Sequence, residues 1–320
     1  MRIRVLSLFD GISCARVALE RLGYEVEYYA SEVDKYAISV SQRNWPDAVQ
    51  LGDVRGITAD TFPDGSDLLI GGSPCQDLSI AKAGRRGLDG ERSGLFWEYV
   101  RIWRELKPRY FVLENVNSMP KDAKRIISDT FGVEPIMINA ALVSAQSRKR
   151  LFWTDICADV FGNQTMPLPE DRGILLRDIL ESGIASDNKS YPINATYART
   201  GTSEAGQEYS ERTHQRTLIA DHPVRIGDIG SNAQAHRVYS EEGKSVTLSA
   251  LGGGQGAKTG LYQIGENYTI RKLTPVECER LQSLPDGYTE GSSNTQRYKC
   301  LGNAFNVEVV RHILSFMEAE

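Results

Sequence analysis

The 320-residue sequence contains no CxxC pair, no HxxxH pair, no internal repeat and no apolar run near the roughly 18 residues that cross a bilayer. Its five cysteines (Cys14, Cys75, Cys157, Cys278 and Cys300) are odd in number and widely spaced, and its only histidines are His214, His222, His236 and His312. This argues against a disulfide framework and a zinc site; no metal is expected, and one isolated cysteine is available as a nucleophile. A strand-like pattern begins within a few residues of Met1, without a leader-like stretch, so a cytoplasmic protein with no membrane contact is expected. A basic excess is also missing. The formal net charge is −5, so any nucleic-acid contact must be concentrated in a local basic cleft. With 41% apolar and 25% charged residues, the chain can bury one large domain and a smaller one.

The first half alternates strand and helix patterns. Arg2–Leu8 alternates basic and apolar residues and breaks at Phe9-Asp10-Gly11; helical spacing follows from Cys14 to a stop at Gly23. Further strands are predicted at Val26–Ser31, Ala48–Leu51, Asp67–Gly71, Arg109–Leu113, Val133–Asn139 and Arg150–Ile156, and helices at Asp34–Arg43, Ser93–Leu106 and Lys121–Thr130. This density of alternation predicts an α/β fold with a doubly wound, mostly parallel sheet whose ligands lie at the carboxyl ends of its strands. Asp10, Glu32, Asp53, Cys75 and Glu114 all fall at such predicted ends.

From about residue 187 to 270 the pattern fails. The stretch is rich in Gly, Ser, Thr and Asn, with short β-like pieces at Arg237–Tyr239, Ser245–Leu248 and Gly260–Ile264. It predicts a smaller, irregular, β-rich inserted domain, and irregular stretches of this length are usually functional. Residues 186–272 carry ten Lys and Arg against nine Asp and Glu, a mild contrast with the acidic remainder that suits an anionic partner. Periodicity returns at Thr274-Pro275-Val276-Glu277, a capping box with proline at the first helical position, and a closing helix is predicted at Asn306–Met317. The expected organisation is residues 1–185, an inserted domain at 186–269, and a return at 270–320.

The segment Leu68–Ser79 joins a buried strand to a stiff turn, because Pro74 fixes its own φ and restricts Ser73. Taken alone, Cys75 reads first as a small apolar residue closing that strand. The turn Phe9 to Cys14, with an acid about twenty residues later at Glu32, follows the logic of nucleotide binding; it is not GxGxxG, so it does not indicate a dinucleotide. Asp53 could accept from an adenine amino group, although any one of these acids taken alone reads first as a turn or capping residue.

The blocks together resemble the C5-cytosine DNA methyltransferase family, in the family's order and over most of the chain. Phe9-Asp10-Gly11 resembles its first cofactor block, Ser31-Glu32-Val33-Asp34 its second and Gly52-Asp53-Val54 its third. Gly71-Gly72-Ser73-Pro74-Cys75-Gln76 resembles the nucleophile block and Glu114-Asn115-Val116 the glutamate block. Gln146-Ser147-Arg148-Lys149-Arg150 fits QxRxR, Arg271 to Gln282 resembles the penultimate block, and Gly302-Asn303 the last. The first and nucleophile blocks are similar to the animal de novo branch. Three departures stand out: Ser73-Pro74 where many members have two prolines, Ser13-Cys14 in the first block, and Phe305-Asn306 where small residues or proline are usual.

The resemblance implies a catalytic sheet of the S-adenosylmethionine-dependent methyltransferase type. It implies Cys75 as the nucleophile at C6 of a flipped cytosine, with Glu114 and Arg150 on the base and Arg148 acting or organising beside them. For S-adenosylmethionine, leaving as S-adenosylhomocysteine, it implies Phe9, Asp10, Gly11, Ile12, Ser13, Glu32, Val33, Asp53, Val54, Pro74, Leu95, Asn303 and Ala304. For double-stranded DNA, the basic glycine-rich stretch from Ala81 to Gly94 offers Lys82, Arg85, Arg86 and Arg92, and the inserted domain offers Arg237 and Gly253. A bacterial or phage enzyme is expected, a monomer, with a cognate restriction endonuclease as a candidate partner. The alternatives are a tRNA cytosine-5 methyltransferase and a non-catalytic DNA-binding relative.

Overall fold

The structure, a computed structural model, describes residues 1–62, 65–73, 94–181, 225–228, 237–240, 243–245, 261–264, 269–271 and 273–318. Its centre is a seven-stranded sheet of β1 (Arg2–Leu8), β2 (Glu25–Ser31), β3 (Val49–Gln50), β4 (Leu68–Gly72), β5 (Tyr110–Val116), β6 (Ile136–Asn139) and β7 (Lys149–Thr154), in the order β3-β2-β1-β4-β5-β7-β6. The first five strands run parallel and β7 is antiparallel to both neighbours. The chain moves outward from β1 through β2 to β3, then returns to place β4 on the other side of β1. That reversal opens a crevice at the carboxyl ends of β1 and β4.

Both faces of the sheet are buried, which is why its strands read as nearly continuous apolar runs. Val5, Leu68, Ile70, Val112 and Phe152 enter one core with α1 (Cys14–Arg21) and α2 (Lys35–Asn44). Leu6, Leu8, Leu69, Phe111, Leu113 and Trp153 enter the other with α3 (Leu95–Leu106) and α4 (Lys121–Phe131). In the second core Phe131 stacks on Phe111 at 4.8 Å and meets Trp103, Tyr99 and Phe96 edge-on. β5 runs to Val116, three residues past its predicted end, because β7 pairs with Asn115 and Val116.

The C-terminal part supplies α5 (Pro275–Leu281), α6 (Asn294–Asn303) and α7 (Val307–Leu314). The capping box predicted at Thr274 forms. Helix α6 was not anticipated: it is largely polar, carries a glycine in its last turn and buries only Tyr298, Cys300, Leu301 and Gly302. Beside the large sheet lies a four-stranded one, β11-β10-β9-β8, from β8 (Arg225–Asp228), β9 (Arg237–Ser240), β10 (Leu261–Ile264) and β11 (Thr269–Arg271). Two of its strands, β9 and β10, overlap predicted pieces; the piece at Ser245–Leu248 falls mostly outside the described residues. The two ends of the segment that carries this sheet meet at one buried carboxylate: Glu277 Oε1 accepts the amide of Glu181 at 3.0 Å and Oε2 that of Thr274 at 2.8 Å. No helix among the described residues is long and apolar enough to cross a membrane.

Gly71 is required by packing. A Cβ there would lie 2.6 Å from the backbone oxygen of Leu8 on the neighbouring strand. Gly71→Ala is expected to destabilise the fold by about 1–3 kcal/mol, read as a lower urea midpoint.

Candidate active site

The carboxyl ends of β1, β2, β4 and β5 surround a cleft of about 410 Å³, within the range of small-molecule sites. The turn after β1 forms its inner wall. Phe9 (φ 56°), Gly11 (φ 65°) and Ser13 (φ 60°) are all left-handed, a costly run for two side chains that bear a Cβ. Asp10 holds that turn from below. Its amide donates to Ser31 O at 3.1 Å, and its carboxylate accepts the hydroxyls of Tyr28 and Ser13, each at 2.6 Å. Burial pushes the Asp10 pKa up against those donors. The consequence is a division among the residues of the first block. Phe9 and Gly11 face the cleft, whereas Asp10, Ile12 and Ser13 lie beneath it, the last two fully buried.

Glu32 is satisfied by backbone alone: Gly11 N donates to it at 2.9 Å, Val33 N at 2.7 Å and Asp34 N at 2.8 Å. It thereby ties the first turn to the second and keeps acceptor capacity toward the cleft. Val33, 70% exposed, projects from the wall as an apolar surface without a covering neighbour. Asp53 and Val54 line the cleft after β3, where the Arg55 side chain chelates both Asp53 oxygens at 2.5–3.2 Å. That guanidinium pulls the Asp53 pKa down to about 2. Leu95 and Asn303 also line it; Ala304 is buried behind, offering its carbonyl to Arg148.

Sequence reasoning missed Lys299 and Cys300 on α6, which complete the outer wall. Lys299 bonds Asp34 at 2.5 Å, joining residues 265 positions apart. A helix without an apolar stripe gave no signal for them. Burial pushes the Cys300 pKa up to about 12, and the Cys14 and Cys157 thiols are likewise raised, so none of these three is poised as a thiolate.

At the inner end the sheet register sets the polar pair. Gly72 is the cross-strand partner of Glu114, and Glu114 faces Phe152 on β7, so Arg150, two residues along β7, shares the face of Glu114. Arg150 Nε lies 2.8 Å from Glu114 Oε1, both side chains more than four-fifths buried. A Cβ on Gly72 would come within 2.9 Å of Glu114 Oε2 and of the Phe305 ring, so only glycine leaves room for the carboxylate. Arg148 also lines the cleft, but its guanidinium is held by backbone: it is 4% exposed and donates to Gly302 O at 3.3 Å and Ala304 O at 3.0 Å, bracing that turn. Asn115 Nδ2 holds Ser73 by its hydroxyl (3.1 Å) and its carbonyl (3.4 Å).

Ser73 is the last described residue before Pro74 and Cys75. Those two, with Lys82, Arg85, Arg86, Arg92 and Gly253, lie outside the described residues. Arg237 opens β9, half-buried, opposite Asp228. Among the described residues no three His, Cys, Asp or Glu side chains converge as metal ligands.

Residues 3–319 match the family described as C-5 cytosine-specific DNA methylase. The chain belongs to this family. It is 32% identical over 322 residues to the type II methyltransferase M.HhaI of Haemophilus parahaemolyticus, covering 97% of this chain and 93% of that protein. It is 25% identical to the orphan methyltransferase M.SPRI of Bacillus phage SPR, covering 98% and 96%. In fold it is similar to the Entamoeba histolytica methyltransferase EhMeth (TM-score 0.70, 14% identity, 99% and 98% covered) and to the Dnmt2 methyltransferase of S. pombe (TM-score 0.62, 17% identity, 98% and 97% covered).

The methylase's first turn makes a pH prediction. A raised carboxyl pKa contributes stability that is full below the ordinary value of 3.8 and is lost as pH rises through the raised one. Asp10→Asn removes this titration. The stability of Asp10→Asn relative to the parent should therefore improve as pH rises above 3.8 in urea unfolding; a gap independent of pH would contradict the assignment.

Proposed function

We propose that the chain transfers a methyl group from S-adenosylmethionine to C5 of a cytosine flipped out of double-stranded DNA. The observation that carries this reading is the buried pair of Arg150 and Glu114 opening onto the cleft where Glu32 and Asp53 converge.

The cleft suits the cofactor. Glu32 retains acceptor positions for ribose hydroxyls, ionised Asp53 can accept from an adenine amino group, and Phe9, Val33, Val54 and Leu95 supply apolar surface. Asn303 and Gly11 face the same space. Bound there, S-adenosylmethionine supplies an electrophilic methyl group.

C5 of cytosine is too weak a nucleophile to react unaided. Cys75, which follows Ser73 by two residues, is assigned to add to C6 and give C5 enamine character; the raised pKa values of Cys14, Cys157 and Cys300 support that assignment by contrast. Charge then develops over N3 and O2. Glu114 in its acid form donates to N3 and Arg150 donates to O2, and the two side chains are already held within reach of each other. The C5 proton then passes to water, and its electron pair re-forms the C5–C6 double bond as the C6–S bond breaks and releases the Cys75 thiolate. Arg148 acts through the Gly302 to Ala304 turn and not on the base.

Lys82, Arg85, Arg86 and Arg92 are proposed phosphate contacts. Residues 186–269 are proposed as the target-recognition domain, with Arg237 and Gly253 as candidate base readers, between catalytic parts 1–185 and 270–320. The reading makes the protein a bacterial or phage cytoplasmic enzyme, monomeric, with a cognate endonuclease as candidate partner.

With labelled S-adenosylmethionine, the chain should label duplex DNA and not tRNA, and Cys75→Ala should abolish labelling. Glu114→Gln and Arg150→Ala should each lower kcat about a hundredfold or more. Bisulfite sequencing of DNA from expressing cells gives the base and its sequence context. Full labelling by Cys75→Ala would overturn the mechanism.

A further inference from the structure

The region carrying the small sheet is attached to the catalytic body at its two ends and also at a third place. Three residues after β9, the segment Gly243 to Ser245 runs beside the loop that leads into Arg148 and Arg150. Ser245 N donates to Ala145 O at 2.7 Å, and Ser147 N returns to Ser245 O at 3.0 Å, making a parallel rung with Gln146. Lys244 lies at the centre of this seam. Only 3% exposed, its ammonium donates to the carbonyl oxygens of Ser144 (3.3 Å) and Ile174, while Leu176 N donates to Gly243 O at 3.0 Å. A buried ammonium is expensive to desolvate and its oriented N–H groups fix the carbonyls they meet.

The loop it grips is short and stiff. Ala140 N bonds Arg148 O at 3.0 Å and Arg148 N bonds Asn139 Oδ1 at 2.9 Å, closing the loop at its base. Within it, neither end of the fully buried Gln146 amide has a hydrogen-bond partner among the described residues. Movement of β9 therefore has a direct mechanical path through Lys244 to the residues that set Arg148 and Arg150.

We propose that Lys244 is a positioning residue that couples DNA engagement by the inserted region to the placement of Arg150 against Glu114. The inference rests on the methyltransferase reading above, and wild-type labelling of DNA, measured first, tests that reading separately.

Two measurements test the coupling. Lys244→Met keeps the stem and removes the donors. Its kcat should fall about tenfold, while the DNA KM and the Kd for S-adenosylhomocysteine stay within about twofold of wild type. An unchanged kcat overturns the proposal, as does a loss confined to DNA KM or matched by an equal loss of cofactor binding. Should the variant not fold, hydrogen exchange on the wild-type protein decides. On adding a duplex carrying the site mapped by bisulfite sequencing, the amides of Ser147 and Ser245 should change protection together. A change at Ser245 without one at Ser147 overturns it.

Discussion

One close approach governs the catalytic end of this molecule: the bare backbone of Gly72 opposite Glu114. Parallel pairing of β4 with β5 fixes which residue faces the carboxylate, and only the absence of a Cβ lets the carboxylate and the Phe305 ring occupy that space. Antiparallel pairing of β7 then brings Arg150 to the same face. The ion pair is thus a product of register, and a slip of one residue in either strand would send one partner to the opposite core.

Around that fixed pair the cleft is assembled from charges already matched within the protein. Asp34 meets Lys299, Asp53 meets Arg55 and Glu114 meets Arg150, while Glu32 is held by three amides. Matching holds the wall before any ligand arrives and leaves Glu32 as an acceptor whose charge no side-chain cation among the described residues offsets at hydrogen-bond range. The half-exposed Asp53 and Arg55 are the readier to part, since a solvated pair contributes little to stability.

The sheet was legible because doubly buried strands and amphipathic helices leave strong periodic signals, and the strand ends marked Glu32, Asp53 and Glu114 correctly as neighbours of one cleft. The inward turn of Asp10, Ile12 and Ser13 was not legible, because three left-handed residues in five reverse side-chain direction in a way no periodicity reports. Helix α6 escaped for the opposite reason: it is largely polar and buries only four near-neighbour residues without an apolar stripe, so its contribution of Lys299 and Cys300 depends on tertiary contact alone. Arg148 and Arg150 lie two residues apart where a loop enters β7, and spacing could not say which braces a loop and which meets an acid until β5 and α6 were in place.

The meeting of both ends of the inserted segment at Glu277 has a consequence for how such a protein can change. A segment that leaves and rejoins the body at one carboxylate is, to the sheet, a closed appendage whose contour length hardly enters the stability of what lies beneath. Doubling a flexible loop costs only about 0.6 kcal/mol. The appendage can therefore be lengthened or shortened while the sheet underneath stays intact, so long as the new segment keeps its footing on the loop before Arg148.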